Sequence, residues 1–267
     1  IKKLGHAGTL DKFADGLLLV LTGYMTKFNQ YLMPLDKAYS AVFHFGEETD
    51  TLDPEGSVVH RAHVPSREQV LDVLKQFRGK VLQRPPAYSA VHIDGQRAYK
   101  QARRGVDIEM PERSVTIHKL ELTHWNPPEA QFTINCSKGT YIRSLARDIA
   151  AAAGSRAHVR SLTRSSIGPF HVEDAVTAPQ CILMDHMLSP IEALSKAVTV
   201  ERSHVLPHYE RLVSHGSLPR LDWLTGISPS TSEEAILSVS GSQGLMGWYL
   251  RRGEEITSIC VLPEDRR

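Results

Sequence analysis

Cysteine is scarce in this chain, with three in 267 residues, at positions 136, 181 and 260. No two of them have metal-ligand spacing, and an odd number suits no disulfide framework. This usage fits a reducing, cytoplasmic home. Net charge is nearly absent, at +1, so no general field marks a partner and local clusters must do so. Long apolar runs are also missing. The longest, Leu17 to Leu21, falls far short of the ~20 residues that a bilayer span needs. No secretory leader, P-loop, dinucleotide fingerprint, internal repeat or low-complexity tract is read.

What is present is a chain 41% hydrophobic and 23% charged. That is enough for one large domain, or one domain with a small appendage. Gly16 to Thr22 reads as a buried strand, and Thr26 to Met33 as a helix stopped by Pro34. Ala38 to Phe45 reads as a strand, and Glu47 to Gly56 as an acidic, turn-rich loop. Ser66 opens a helix with Glu68 and Gln69 in its first turn, ended by Gly79. Tyr88 to Ile93, Val115 to Trp125 and Gln131 to Cys136 read as strands, and Gln96 to Arg104 and Tyr141 to Ala153 as helices. Residues 177–200 read as a connector with helical pieces. Ile236–Val239, Leu245–Leu250 and Ile256–Leu262 are strand-like and mark a small β-rich tail.

Gly5-His6-Ala7-Gly8-Thr9-Leu10-Asp11 is a compact turn bracketed by glycines and ended by a carboxylate. Such a turn can aim the carboxylate into a cleft as nucleophile, base or acid; equally, it can be a Gly-rich turn with a capping Asp. Lys138-Gly-Thr-Tyr-Ile-Arg143 lies between a strand and a helix. Its arginine can fork-bond a carboxylate and hold it charged, or sit on a helix surface. Tyr39 and Tyr141 can stack on a base or fill a core. His6 can stack, touch a phosphate or close a turn. Basic residues gather at Lys138, Arg143, Arg147, Arg156, Arg160 and Arg164, and at Arg97, Lys100, Arg103 and Arg104. Two such clusters favour a polyanion such as RNA over a merely solvated face.

These segments together resemble the TruB family of tRNA pseudouridine synthases, from about Lys2 to Phe170. The carriers are Gly-His-Ala-Gly-Thr-Leu-Asp (5–11), Lys37-Ala-Tyr39, Arg84-Pro-Pro-Ala-Tyr-Ser-Ala90, Cys136 to Arg143, and Ala157-His-Val-Arg-Ser-Leu162. Gly46–Val59 and Arg84–Gly105 are similar to the stand-alone bacterial branch rather than the guide-RNA-dependent one. The resemblance implies an α+β catalytic fold, with a mixed, mainly antiparallel sheet flanked by helices, over 1–197. A small β-rich, PUA-like RNA-binding domain would follow over 198–267. It implies Asp11 as nucleophile, Tyr39 as a catalytic residue that stacks on the target uracil and can help move a proton, and Arg143 paired with Asp11. Tyr141 and Leu162 would line the uracil pocket, with His6 and Lys27 as RNA contacts. The implied partner is the T stem-loop of tRNA, bound by a monomer that flips out its target base and needs no metal, nucleotide or other cofactor. A further N-terminal stretch, with a Lys-Pro element and one strand of the sheet, is implied ahead of Ile1.

Three residues depart from the family's wording: Lys12 where Pro is usual, Asp15 where a small residue or Thr stands, and His92 where Lys is common. Lys12 and Asp15 keep open a non-enzymatic tRNA-folding factor on the same fold. A glycosidase using Asp11 and Asp15 is disfavoured, since two carboxylates four residues apart in one tight loop cannot easily flank a sugar.

Overall fold

The structure is a computed structural model that describes residues 3–89, 91–93, 95–102, 104, 109–178, 183–227 and 234–262. Two compact units interleave along the chain. One comprises Gly8–Leu19 and Pro34–Ala175; the other comprises Ile1–Ala7, Val20–Met33 and Val176–Arg267. Among the described residues, no helix is long and apolar enough to cross a membrane.

The first unit is built on a seven-stranded sheet. Its strands are β1 (Asp15–Gly16), β2 (Lys37–Phe45), β3 (Gly79–Gln83), β4 (Arg113–Asn126), β5 (Glu129–Cys136), β6 (Ala157–Ile167) and β7 (Phe170–His171). Their order is β7-β6-β2-β5-β4-β3, with β1 beside β6. The β1–β6 pair is parallel and the others are antiparallel. Alternation along β2 points Ala41, Phe43 and Phe45 inward, to meet Phe132 and Ile134 of β5. Phe43 and Phe132 stack with centroids 4.5 Å apart.

Two helices cover that core, α1 (Arg67–Leu74) and α2 (Ile142–Ala152). In α2, Ile142, Leu145, Ala146, Ile149 and Ala150 are buried, the i, i+3, i+4, i+7, i+8 stripe of an amphipathic helix. Each large apolar side chain buried this way contributes about 1.5–3 kcal/mol. Helix α1 starts at a capping box. The Ser66 hydroxyl accepts from the Gln69 N–H at 3.2 Å, and the Gln69 side chain accepts from the Ser66 N–H at 2.7 Å.

Several expected elements change. The apolar run Gly16–Thr22 is not one strand. It holds Gly16 in β1 and a separate strand, Val20–Thr22, in the second unit. Tyr88 to Ile93 keeps only His92–Ile93 as strand, after a bend at the Pro-rich loop. The helix expected over 96–104 spans Ala98–Ala102, and Arg97 belongs to a two-residue strand. Arg97 therefore does not lie on the helix that carries Lys100, and Arg103 lies outside the described residues.

Gly16 is where the loop bearing Asp11 meets the sheet. It has φ +98°, and a Cβ there would lie 2.3 Å from the Arg164 carbonyl oxygen and 2.7 Å from its nitrogen. Only glycine combines that backbone with that approach. Gly16→Ala is expected to cost at least about 2 kcal/mol, from strain and displaced pairing together. A urea melt checks this, and an unshifted midpoint would contradict it.

The second unit carries a two-stranded ribbon, Leu4–His6 against Val20–Thr22. It also has a five-stranded sheet of β8 (Val200–Val205), β9 (Leu224–Thr225), β10 (Glu234–Gly241), β11 (Gly244–Arg252) and β12 (Glu255–Val261), in the order β9-β8-β10-β11-β12. Helix α3 (Pro190–Ala197), capped by Ser189, precedes β8. The expected helix at 26–33 is a 3₁₀ segment, Gly23–Phe28, followed by one α turn, Asn29–Leu32. Phe28 packs edge-on against the fully buried Trp248, 5.4 Å away.

Candidate active site

Asp11 and Arg143 are 132 residues apart in sequence and meet as a two-pronged fork. Arg143 Nε donates to Asp11 Oδ2 at 2.9 Å, and Nη2 donates to Oδ1 at 2.7 Å. The register of α2 places Arg143 two residues past the N-cap, Tyr141 being the cap. The guanidinium points inward, with its side chain 5% exposed against 36% for Asp11. Its remaining donors are also used. Nη1 reaches the Thr51 carbonyl at 3.0 Å and Asp53 Oδ2 at 3.2 Å, and Nη2 reaches the Tyr88 carbonyl at 3.2 Å. All five N–H groups of the guanidinium thus have an acceptor.

Asp53 is buried and held in turn. Its Oδ1 accepts from Thr51 Oγ1 at 2.6 Å and from the Glu55 N–H at 3.0 Å. Leu52, between Thr51 and Asp53, adopts φ +61°, the only non-glycine among the described residues with positive φ. Gly, Asn or Asp would be the cheap occupant of that conformation, so the turn is held there by its neighbours.

Arg164 of β6 fixes the other side of the Asp11 loop. Its side chain is almost wholly buried, with Nε donating to the Leu17 carbonyl at 2.8 Å and Nη2 to the Gly8 carbonyl at 3.1 Å. The Leu17 N–H donates to the Arg164 carbonyl at 2.8 Å. The loop is therefore clasped at both ends by one residue of the sheet. Two of the six cations in the 138–164 cluster, Arg143 and Arg164, face inward and cannot meet phosphates directly. Arg156 and Arg160 remain outward, near Glu48 and Glu129.

Tyr39 lies on β2, opposite Arg164 of β6 and Ile134 of β5. Burial pushes its phenol up to about 12, helped by Cys136 and Asp11 and opposed by Arg164. Tyr141 is half-buried against Val91, Ala98 and Met110, and exchanges two hydrogen bonds with the Gln83 side chain. Leu162 is buried in the main core, opposite Ala41. His6 and Lys27 are exposed and belong to the second unit. Asp15 is exposed in β1, paired with Thr163. Asp53 and the clasping role of Arg164 had no signal in the sequence. Asp53 sits in a run of acids and Arg164 in a run of bases.

Burial also raises the Asp11 carboxyl above its ordinary value; Arg143 pulls it down, and Asp53 adds to the rise. A reaction that needs the carboxylate then fails as pH falls through that raised value. The acid limb of kcat/KM is accordingly expected above the ordinary 3.8. A limb at or below it would show that free-enzyme Asp11 is not the titrating group.

Residues 1–142 match the family described as TruB family pseudouridylate synthase, N-terminal domain. This chain belongs to the TruB family. The tRNA pseudouridine synthase B of Borreliella burgdorferi (strain ZS7) is 46% identical over 176 residues, covering 65% of this chain and 62% of that protein. The protein of the same name from Borrelia garinii subsp. bavariensis is 44% identical over 207 residues, covering 76% and 73%. This TruB-family chain thus spans 62% of the length of the first of these relatives. Among solved structures, a chain of a Cbf5-Nop10-Gar1 complex has a TM-score of 0.67 at 22% identity, covering 100% of this chain and 78% of that one. That likeness establishes the pseudouridine-synthase fold.

Proposed function

We propose that this chain converts uridine to pseudouridine in the T-arm loop of tRNA, at position 55, with Asp11 as nucleophile. The observation that carries the reading is the fork between Asp11 and a fully satisfied, buried Arg143. A surface arginine needs no such housing, whereas a nucleophilic carboxylate held out of bulk water needs a fixed cation.

The target base is first flipped out of its loop, at a cost of a few kcal/mol. Contacts to the RNA backbone offset that cost, so affinity falls with salt. Recognition is mainly of stem-loop shape. Asp11 attacks C6 of the ring or C1′ of the ribose, and the glycosidic bond breaks. The uracil then turns and C5 bonds to C1′, the bond to Asp11 is released, the C5 proton leaves and N1 takes up a proton, so product and substrate are isomers. With its phenol pushed up to about 12 by burial, Tyr39 is neutral at pH 7. Tyr39 therefore serves as a neutral ring, stacking on the uracil and donating a hydrogen bond. Tyr141 and Leu162 line the pocket, while His6 and Lys27 contact the RNA. Residues 198–267 act as a PUA-like RNA-binding domain, and the chain works as a monomer.

The test is tritium release from tRNA labelled at uridine C5, with pseudouridine mapping of the product and no guide RNA added. Release at a single T-arm position is expected. Binding without release would favour the tRNA-folding factor instead.

A further inference from the structure

The Asp11 loop is joined to the 50–56 turn by two bridges of different character. One is the buried bridge Asp11–Arg143–Asp53. The other lies one residue beyond Asp11 and two beyond Asp53, where Lys12 Nζ meets Glu55 Oε1 at 2.7 Å. The lysine side chain is 85% exposed and the glutamate 44%. The tethers of the loop from Arg143 and Arg164 are buried guanidiniums that a polyanion cannot reach. Lys12 is thus an accessible cation adjacent in sequence to the proposed nucleophile. A nucleotide delivering its base to Asp11 brings its own and its neighbours' phosphates beside that residue.

We infer that Lys12 is a substrate-phosphate ligand held in reserve by Glu55. In the free protein the carboxylate keeps the ammonium on the turn; in the RNA complex a backbone phosphate takes it over, and Glu55 turns out to solvent. This rests on the RNA-modifying reading above. Exposed ion pairs hold weakly, so the exchange costs little. A phosphate contact also displaces condensed counterions, which a pair within the protein does not.

The inference predicts opposite signs for the two partners. Binding to product tRNA, which already carries pseudouridine at the target and undergoes no net reaction, is measured over a range of salt for the full chain and its variants. Lys12→Met is expected to weaken binding about fivefold and to reduce the slope of log K against log salt by about one. Glu55→Gln is expected to tighten binding by about twofold to fivefold, because a competitor for Lys12 has gone. In a Lys12→Met background, Glu55→Gln is expected to do nothing. Should both single variants weaken binding, the pair is only a structural brace and the inference fails. It also fails if Glu55→Gln tightens binding equally without Lys12, since that would be simple removal of a negative charge. Thermal melts of both variants within about a degree of the parent certify the fold. Failure of the functional reading looks different: the unaltered chain would release no tritium from C5-labelled tRNA.

Discussion

Asp11→Asn is expected to lower turnover by at least about 10⁴-fold, the scale on which removal of an essential nucleophile acts. RNA affinity should stay within about threefold of the parent. The two readouts separate because the substitution keeps the shape of the side chain and removes its nucleophilicity. It also alters the fork. A carboxylate offers two acceptors to Arg143 Nε and Nη2, whereas an amide offers one acceptor and one NH₂. One donor of Arg143 then faces another donor, and the loop loosens on that side. The clasp from Arg164 at Gly8 and Leu17 is untouched, so the loop keeps its place on the sheet. Pre-steady-state tritium release checks the turnover, and filter binding checks the affinity. Pseudouridine formation by the Asn variant at a tenth of the parent rate would remove Asp11 from the chemistry.

The same side chains show what a sequence reveals and what it hides. Strand β2 was legible because its apolar residues alternate cleanly from Ala41 to Phe45. Helix α1 was legible because Ser66 and Gln69 form a local device three residues apart. Strand β6, although next to β2 in the sheet, was not read as a strand. Bulges between Val159 and Ser161, and between Arg164 and Ser166, break its period of two. It also carries buried polar residues, His158 and Arg164. The run from Leu17 to Leu21 misled for the opposite reason. Its continuous hydrophobicity suggests one strand, yet Leu18 and Val20 are exposed and the run is divided between two units.

At the site, Asp11 and Arg143 could be named because each lies in a distinctive local motif. Asp53 could not, since its meaning comes from a contact with a residue 90 positions away. No local pattern encodes such a pairing. Nor does composition show which of six neighbouring cations turns inward. Arg164 does so because the loop carbonyls at Gly8 and Leu17 converge on it, a fact of tertiary structure alone.

The second large effect is expected from Arg143→Lys, with a loss in kcat of about 10² to 10³-fold and little change in RNA affinity. The charge is conserved, so a purely Coulombic role predicts almost no loss. The geometry predicts otherwise. Arg143 serves Asp11 twice, Asp53 once, and the carbonyls of Thr51 and Tyr88. An ammonium has three donors on a single atom and cannot span acceptors arranged around a planar fork. Whichever set lysine satisfies, either Asp11 turns freely or the buried Asp53 loses its cation. The first outcome spoils the line of attack. The second leaves a buried carboxylate short of a partner, which costs about 3–5 kcal/mol in comparable cases. The two outcomes separate in a denaturant melt: a stable but slow variant means that Asp11 has been released, and a destabilised one means that Asp53 has. A lysine variant as fast as the parent would show that orientation by the fork contributes nothing, and that any cation at the head of α2 suffices.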